Sequence, residues 1–92
     1  MNFEWDEEKA AANLTKHGVS FVEAVTVFGD VNALNFPDHE HSQFEERMMH
    51  TIGYSADSRI LLVVNLDRGE HLRIVSARRA TLSERQRYER RN

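Results

Sequence analysis

Ninety-two residues make a single domain, 1–92, with room for only a modest core. The composition is globular, 40% apolar and 29% charged, with no cysteine for a disulfide or a thiolate metal site and no apolar run long enough to span a membrane. The net charge of −3 conceals a division, because residues 1–58 hold eleven acidic and three basic side chains while residues 59–92 hold four acidic and nine basic.

Phe3 and Trp5 alternate with polar neighbours and predict a short first strand. Asp6 is a helix N-cap, with Glu7 and Glu8 in the first turn where the helix dipole favours acids. This helix runs to His17; Ala10, Leu14 and His17 share a face, and Gly18 suits the left-handed position that closes it. Ser20 and Glu23 stand three apart as a capping box. Phe21, Ala24, Val25 and Phe28 then form the apolar stripe of a second helix that Gly29 ends. Val31 to Phe36 reads as a short strand closed by Pro37, and DHEHSQ as a polar turn. Phe44 to Tyr54 alternates as a longer strand, with Met48, His50, Ile52 and Tyr54 on one face and Glu45, Arg47, Met49 and Thr51 on the other. After a turn at Ser55 to Ser58, Ile60 to Leu66 is apolar on both faces apart from Asn65, which places it at the centre of a sheet. Asp67-Arg68-Gly69 is a hairpin signal, and Leu72 to Ala77 is the last strand. Thr81 and Glu84 form a second capping box, opening a helix to about Arg91. The order β-α-α-β-β-β-β-α predicts an α+β domain built on an antiparallel sheet.

The last twenty residues, RIVSARRATLSERQRYERRN, hold seven arginines in an acidic protein. Leu82 and Tyr88 are the large apolar residues of the final helix, a thin stripe worth about 1.5–3 kcal/mol per fully buried side chain. Arg85, Arg87, Arg90 and Arg91 therefore face water or a partner. Ten of the twelve cations are arginine, whose planar fork binds phosphate or carboxylate bidentately. Arg73 and Arg78 have opposite parity, so an unbroken strand points them to different faces, and either one could instead pair with Glu45, Glu46 or Asp6. Lys16 and His17 stand beside Gly18, one offering charge to a phosphorane-like transition state and the other a group that passes protons near neutral pH. Both equally complement a helix C-terminus. Asp38-His39-Glu40-His41 has metal-binding residue types, but adjacent turn residues rarely converge and two histidines at i, i+2 lack a third ligand. The segment reads as a solvated turn, and neither metal nor cofactor is expected. No P-loop, HExxH or GxSxG is present, which counts against nucleotide hydrolysis, zinc proteolysis and serine esterase chemistry.

Three separated stretches resemble the BrnT toxin family. The first is FEWDEEKAAANLTKHGVSFVEAVTVFGD, with Trp5-Asp6, Lys9, Asn13, Lys16-His17-Gly18-Val19, Phe21, Glu23-Ala24, Val27-Phe28 and Asp30. EERMMHTIGYSADSRILLVV continues it through Glu46-Arg47, Gly53 and Arg59, with Asp57-Ser58-Arg59 where many members have Asp-Gly-Arg. RIVSARRATLSERQRYE closes it with Arg73-Ile74, Ser76-Ala77-Arg78, Ala80, Glu84-Arg85 and Tyr88. The resemblance implies a RelE-like fold and a ribonuclease toxin of a bacterial type II toxin–antitoxin pair. It also implies a cognate antitoxin, expected to bind DNA, and a toxin–antitoxin complex that binds its own operator.

The leading reading is a metal-independent endoribonuclease. RNA carries its own nucleophile, so the protein must align it, move protons and hold added negative charge. Lys16, His17, Arg47, Arg73 and Arg78 are the expected catalytic residues, and Arg59, Arg79 and Arg85 the expected contacts to flanking phosphates of the RNA. The alternative is a non-catalytic basic module that docks an acidic protein partner. The acids in MNFEWDEEK, where a signal peptide needs bases, lead to the expectation of a cytoplasmic protein.

Overall fold

A computed structural model of the protein describes residues 2–42 and 47–91, the side chain of Arg91 apart. The elements are β1 (Asn2–Glu4), α1 (Glu7–His17), α2 (Phe21–Thr26), β2 (Leu34–Pro37), β3 (Arg47–Tyr54), β4 (Ile60–Asp67), β5 (His71–Arg79) and α3 (Leu82–Arg91). Single 3₁₀ turns occupy Val27–Gly29 and His39–His41. The predicted strand start at Phe44, and any pairing of an arginine with Glu45 or Glu46, lie outside the described residues.

Local chemistry sets the helix ends. The Asp6 carboxylate accepts the backbone N–H groups of Glu8 and Lys9, and Gly18 closes α1 at φ 68° with its N–H on the Leu14 carbonyl. Ser20 Oγ accepts the Glu23 N–H at 3.0 Å, but the Glu23 carboxylate turns away to other partners, so this capping box is half made. The box that opens α3 is complete: Thr81 Oγ accepts from Glu84 N and Glu84 Oε1 from Thr81 N. The second helix tightens into the 3₁₀ turn at Val27 rather than running as one α-helix to Phe28.

The five strands lie in the order β1-β5-β4-β3-β2, with β4 central as its apolar sequence predicts. All pairs are antiparallel except β1–β5, which is parallel and makes the sheet mixed. The helices and strands between β1 and β5 form the long crossover that a parallel pair requires.

One irregularity governs the arginines. The β4–β5 register passes from Val64↔Ser76 to Asn65↔Ile74, leaving Val75 as a bulged residue. The extra residue inverts the parity of β5. Ile74 and Ala77 consequently face the same helical core, and Arg73 and Arg78, opposite Leu66 and Leu62, share the other face. An unbroken strand would have separated them.

The core has two parts. Under α1 and α2, Val19, Phe21, Ala24 and Val27 pack on Leu61, Val63, Ile74 and Ala77. On the opposite face Ile52 and Leu62 pack with Tyr88. Tyr88 is 5% exposed but Leu82 is 69% exposed, so α3 docks through one large side chain rather than the expected two. Leu82 occupies the first residue of the helix, before it reaches the sheet.

A hydrogen bond reinforces that docking. The Tyr88 hydroxyl donates to Asp30 Oδ2 at 2.6 Å, and the same carboxylate accepts the N–H groups of Tyr54 and Asn32. Gly53 lets β3 approach it closely: a Cβ there would stand 3.1 Å from Asp30 Oδ2 and 3.2 Å from Ala33 Cβ. Burial would raise the Asp30 pKa, but the Tyr88 hydroxyl and the backbone donors outweigh it and hold the group below its ordinary value. Burial, helped by the Asp30 charge, pushes the Tyr88 phenol up to about 12. A phenol raised in the folded state stabilises the fold fully below its unfolded value of 10.0, and that stability is lost as pH rises through about 12. Tyr88→Phe should cost about 1.5–3 kcal/mol at neutral pH, the range for a hydrogen bond to a charged group. Urea unfolding at pH 7 and pH 11 should show the variant losing less stability than the parent between those two values.

Candidate nucleic-acid interface

The turn between β3 and β4 builds the site. Ser55 N–H donates to the Arg59 carbonyl at 2.8 Å and Ser58 N–H to the Ser55 carbonyl at 3.0 Å. Ser58 takes φ 61°, a left-handed position that costs a residue other than glycine about 1–2 kcal/mol. The turn is nonetheless tight, and it swings the Arg59 side chain over α2.

There Arg59 meets Glu23, whose side chain is only 6% exposed. Arg59 Nε donates to Glu23 Oε2 at 2.9 Å and Nη2 donates to Oε1, a bidentate pair. Ser55 Oγ donates to the same carboxylate at 2.6 Å, and Arg59 Nη2 reaches the Gly18 carbonyl at 3.1 Å. One guanidinium therefore joins the start of β4, the buried face of α2 and the end of α1. The Arg59 hydrogen bond holds the Glu23 carboxyl below its ordinary value, against burial that would raise it.

Beside this pair lies a cleft of about 250 Å³, lined by Tyr54, Ser58, Arg59, Ile60, Arg79, Ala80 and Arg85. Arg79 reaches it because it opposes Leu61 and so lies on the helical face of the sheet, near enough to Glu23 to favour its charge. Arg85 reaches it from the first turn of α3, which Tyr88 and the Thr81–Glu84 box hold in place. Arg79 and Arg85 are exposed, and their guanidinium groups have no ion pair or hydrogen bond among the described residues.

Lys16 and His17 occupy the last turn of α1, immediately before the Gly18 carbonyl that Arg59 holds. With Lys9, Ala12, Asn13, Val75 and Ser76 they line a smaller recess of about 210 Å³. Asn13 fixes their position: its Nδ2 donates to the Val19 and Ala77 carbonyls at 2.9 and 2.8 Å, and its Oδ1 accepts the Ala77 N–H at 3.1 Å. This clamp seats α1 on β5 two residues before Arg79.

The structure thus brings Arg59, Arg79 and Arg85 to one cleft, places Lys16 and His17 in a separate recess next to the Gly18 carbonyl that Arg59 holds, and leaves the expected Arg47, Arg73 and Arg78 elsewhere. Arg78 faces the opposite side of the sheet and makes a bidentate pair with Glu84 at 2.7 and 3.0 Å. Arg73 lies 4.0 Å from Glu4, and Arg47 Nη2 donates to Asp67 at 2.8 Å. Sequence reasoning read Glu23 as a cap and missed its pairing with Arg59 and Ser55. The stripe of Phe21, Ala24, Val25 and Phe28 places Glu23 on the other side of the helix, so the sequence carried no signal for its burial. Tyr54 and Ser58, which line the cleft, were also missed.

The model of one protein family, described as the ribonuclease toxin BrnT of a type II toxin–antitoxin system, matches residues 5–84. The chain belongs to the BrnT family. RNA as the substrate class and an antitoxin as partner follow from that membership. No curated protein matches the chain. No helix among the described residues is long and apolar enough to cross a membrane. The residues that carried the BrnT resemblance divide by role. Asn13, Glu23, Asp30, Arg59, Arg78, Glu84 and Tyr88 make the polar contacts that fix α1, α2 and α3 on the sheet. Lys16, His17 and Arg85 make no such contact among the described residues.

Removing one partner of a buried pair leaves the other charge uncompensated, so Arg59→Met should destabilise the protein by about 3 kcal/mol at pH 7. A carboxylate depressed in the folded state stabilises above its unfolded value of 4.5, and that stability is lost as pH falls through the lower folded value. Urea denaturation from pH 7 to pH 3 should therefore show the gap between Arg59→Met and the parent protein narrowing below about pH 4.5.

Proposed function

We propose that the chain cleaves RNA without a metal ion, with the scissile phosphate held in the Arg59–Arg79–Arg85 cleft and Lys16 and His17 serving the reaction from the end of α1. The observation that carries this reading is the convergence of three guanidinium groups on a cleft whose nearby carboxylate, Glu23, is buried and already satisfied by Arg59 and Ser55. Arg79 and Arg85 keep their full charge for a phosphate. Arg59 is fixed by Glu23 and supplies a positioned charge at the cleft wall.

The chemistry needs few groups. His17 takes the proton from the RNA 2′-hydroxyl, whose oxygen attacks the adjacent phosphorus. Arg79 and Arg85 stabilise the charge that develops on the non-bridging oxygens. The bond from phosphorus to the 5′-oxygen breaks, and that oxygen takes a proton from Lys16. The products are a 2′,3′-cyclic phosphate and a 5′-hydroxyl end. Arg73 and Arg78, brought to one face by the bulge, form a second basic track for flanking RNA, whereas Arg47, opposite Asp67, lies on the helical face. Each is already near a carboxylate, so each binds phosphate only in competition with it.

A cognate antitoxin that covers the cleft neutralises the toxin in this reading, and the complex binds its operator through the antitoxin. The toxin acts in the cytoplasm, where its RNA is.

Purified protein in EDTA should produce RNA fragments with those end groups from a sub-stoichiometric amount of protein. The double variant Arg79→Ala/Arg85→Ala should lower kcat/KM by about 100-fold or more, the usual cost of removing donors to developing charge. Its stability should move by less than about 0.5 kcal/mol, since both side chains are exposed and have no ion pair among the described residues. The slope of log affinity against log salt should become shallower by about 1.4, roughly 0.7 for each phosphate of single-stranded RNA that the variant no longer neutralises. Undiminished cleavage by the double variant would remove the cleft from the mechanism. A protein that binds RNA without turnover would be a binding module.

A further inference from the structure

A second cluster of functional side chains lies at the other end of β3, away from the arginine cleft. Asp38 follows β2 directly and caps the 3₁₀ turn His39–His41. Its Oδ2 stands 2.8 Å from His41 Nδ1 and 3.4 Å from His50 Nε2. A carboxylate oxygen of Glu40 joins the group: the ligand atoms of Asp38, Glu40 and His41 all lie within 4.8 Å of one another. We infer that Asp38, Glu40, His41 and His50 form a binding site for a divalent cation of the zinc class, which ties the His39–His41 turn to β3.

The sequence hid this site because the decisive ligand is distant. Among the histidines, the useful pair is His41 and His50, not the adjacent His39 and His41. Strand register delivers His50, which pairs with Phe36 across β2–β3. The two rings pack 5.4 Å apart, and this leaves His50 Nε2 toward Asp38. The main chain fixes the rest. Asp38 N–H donates to the Met48 carbonyl at 2.8 Å, and Ser42 Oγ donates to the Asp38 carbonyl while accepting the Met48 N–H. Asp38 Oδ1 accepts the Glu40 N–H at 3.2 Å, which leaves Oδ2 turned toward the histidines.

Geometry and donor type select the ion. Ligand atoms at zinc–ligand distances of about 2.0–2.1 Å in a tetrahedron stand about 3.3 Å apart. The Asp38–His50 separation already matches and Asp38–His41 needs to open by only a few tenths of an ångström, while His50, whose ligand atom stands outside the 4.8 Å group of the other three, must close in by a side-chain rotation. Two imidazoles and two carboxylates suit zinc, whereas magnesium and calcium prefer a shell of oxygens. Arg87, stacked over Phe36 at 4.4 Å, is a cationic neighbour that the two carboxylates outweigh. His41 is exposed, so a cation can enter from solvent. His50 is four residues from Tyr54, about 13 Å along the strand, which assigns the ion a structural role.

Untagged protein, stripped with EDTA and dialysed, should bind one equivalent of Zn²⁺ in a calorimetric titration and show no saturable binding of Mg²⁺. Co²⁺ in place of Zn²⁺ should give the intense visible absorption of a tetrahedral site. His41→Ala and His50→Gln should each weaken Zn²⁺ binding by at least about 10-fold, the lower end of the cost of disturbing even a supporting group. His39→Ala should leave it unchanged. His41 is exposed, so its variant keeps the fold even if His50→Gln does not. Failure of the parent protein to bind Zn²⁺ saturably, or equal affinity in His41→Ala, would overturn the assignment.

Discussion

The pair between Glu23 and Arg59 is the contact on which the site depends. It crosses the chain's charge division, joining a carboxylate of the acidic half to a guanidinium of the basic half. Glu4 with Arg68, and Arg47 with Asp67, likewise bridge the two halves. The two halves are interleaved, as a small domain requires. Interleaving does not consume all the positive charge, however. Glu23 is buried, so it neutralises Arg59 and leaves Arg79 and Arg85 uncommitted beside it. A domain that is acidic in total thus presents a basic cleft at one end.

Two further locks decide where those arginines stand. Asn13 clamps α1 onto β5 by bonding both the donor and the acceptor of Ala77, which sets Lys16 and His17 beside the Arg59 contact. Asp30 and Tyr88 seat α3, and the Arg78–Glu84 pair ties its first turn back to the end of β5. Arg78 therefore acts on Arg85 at one remove: it holds the helix that presents it. Dense arginine in a short stretch conceals this division of labour, since adjacent Arg78 and Arg79 point to opposite faces and have opposite fates.

Much of the fold was legible because its determinants are local. Asp6, Gly18, Ser20 and Thr81 act within one turn of themselves, and an apolar stretch such as Ile60 to Leu66 has few places to go but the centre of a sheet. What could not be read depends on distant partners. The bulge at Val75 leaves no mark in the sequence, yet it decides that Arg73 and Arg78 share a face. Leu82 and Tyr88 looked equivalent as anchors, and only the docking geometry of α3 separates them. The parallel placement of β1 beside β5 is likewise a choice of topology. In the candidate site, arginine's chemistry pointed to Arg59, Arg79 and Arg85, but their meeting at one cleft required a register, a turn and a helix angle. Glu23 was misread for the same reason: its cap position is local, whereas its ion pair spans thirty-six residues.

The central claim is that RNA enters at the end where Arg59, Arg79 and Arg85 converge. Side-chain NMR of ¹⁵N-labelled arginine Nε–Hε groups, titrated with an RNA oligonucleotide carrying 2′-O-methyl groups so that it cannot be cleaved, tests this directly. The account predicts that the Arg79 and Arg85 signals shift at the lowest RNA concentrations, that Arg59 follows with its Glu23 pair intact, and that Arg78 stays in place on Glu84. First movement of Arg73 and Arg78, with Arg79 and Arg85 unmoved, would contradict it and put the RNA on the opposite face of the sheet.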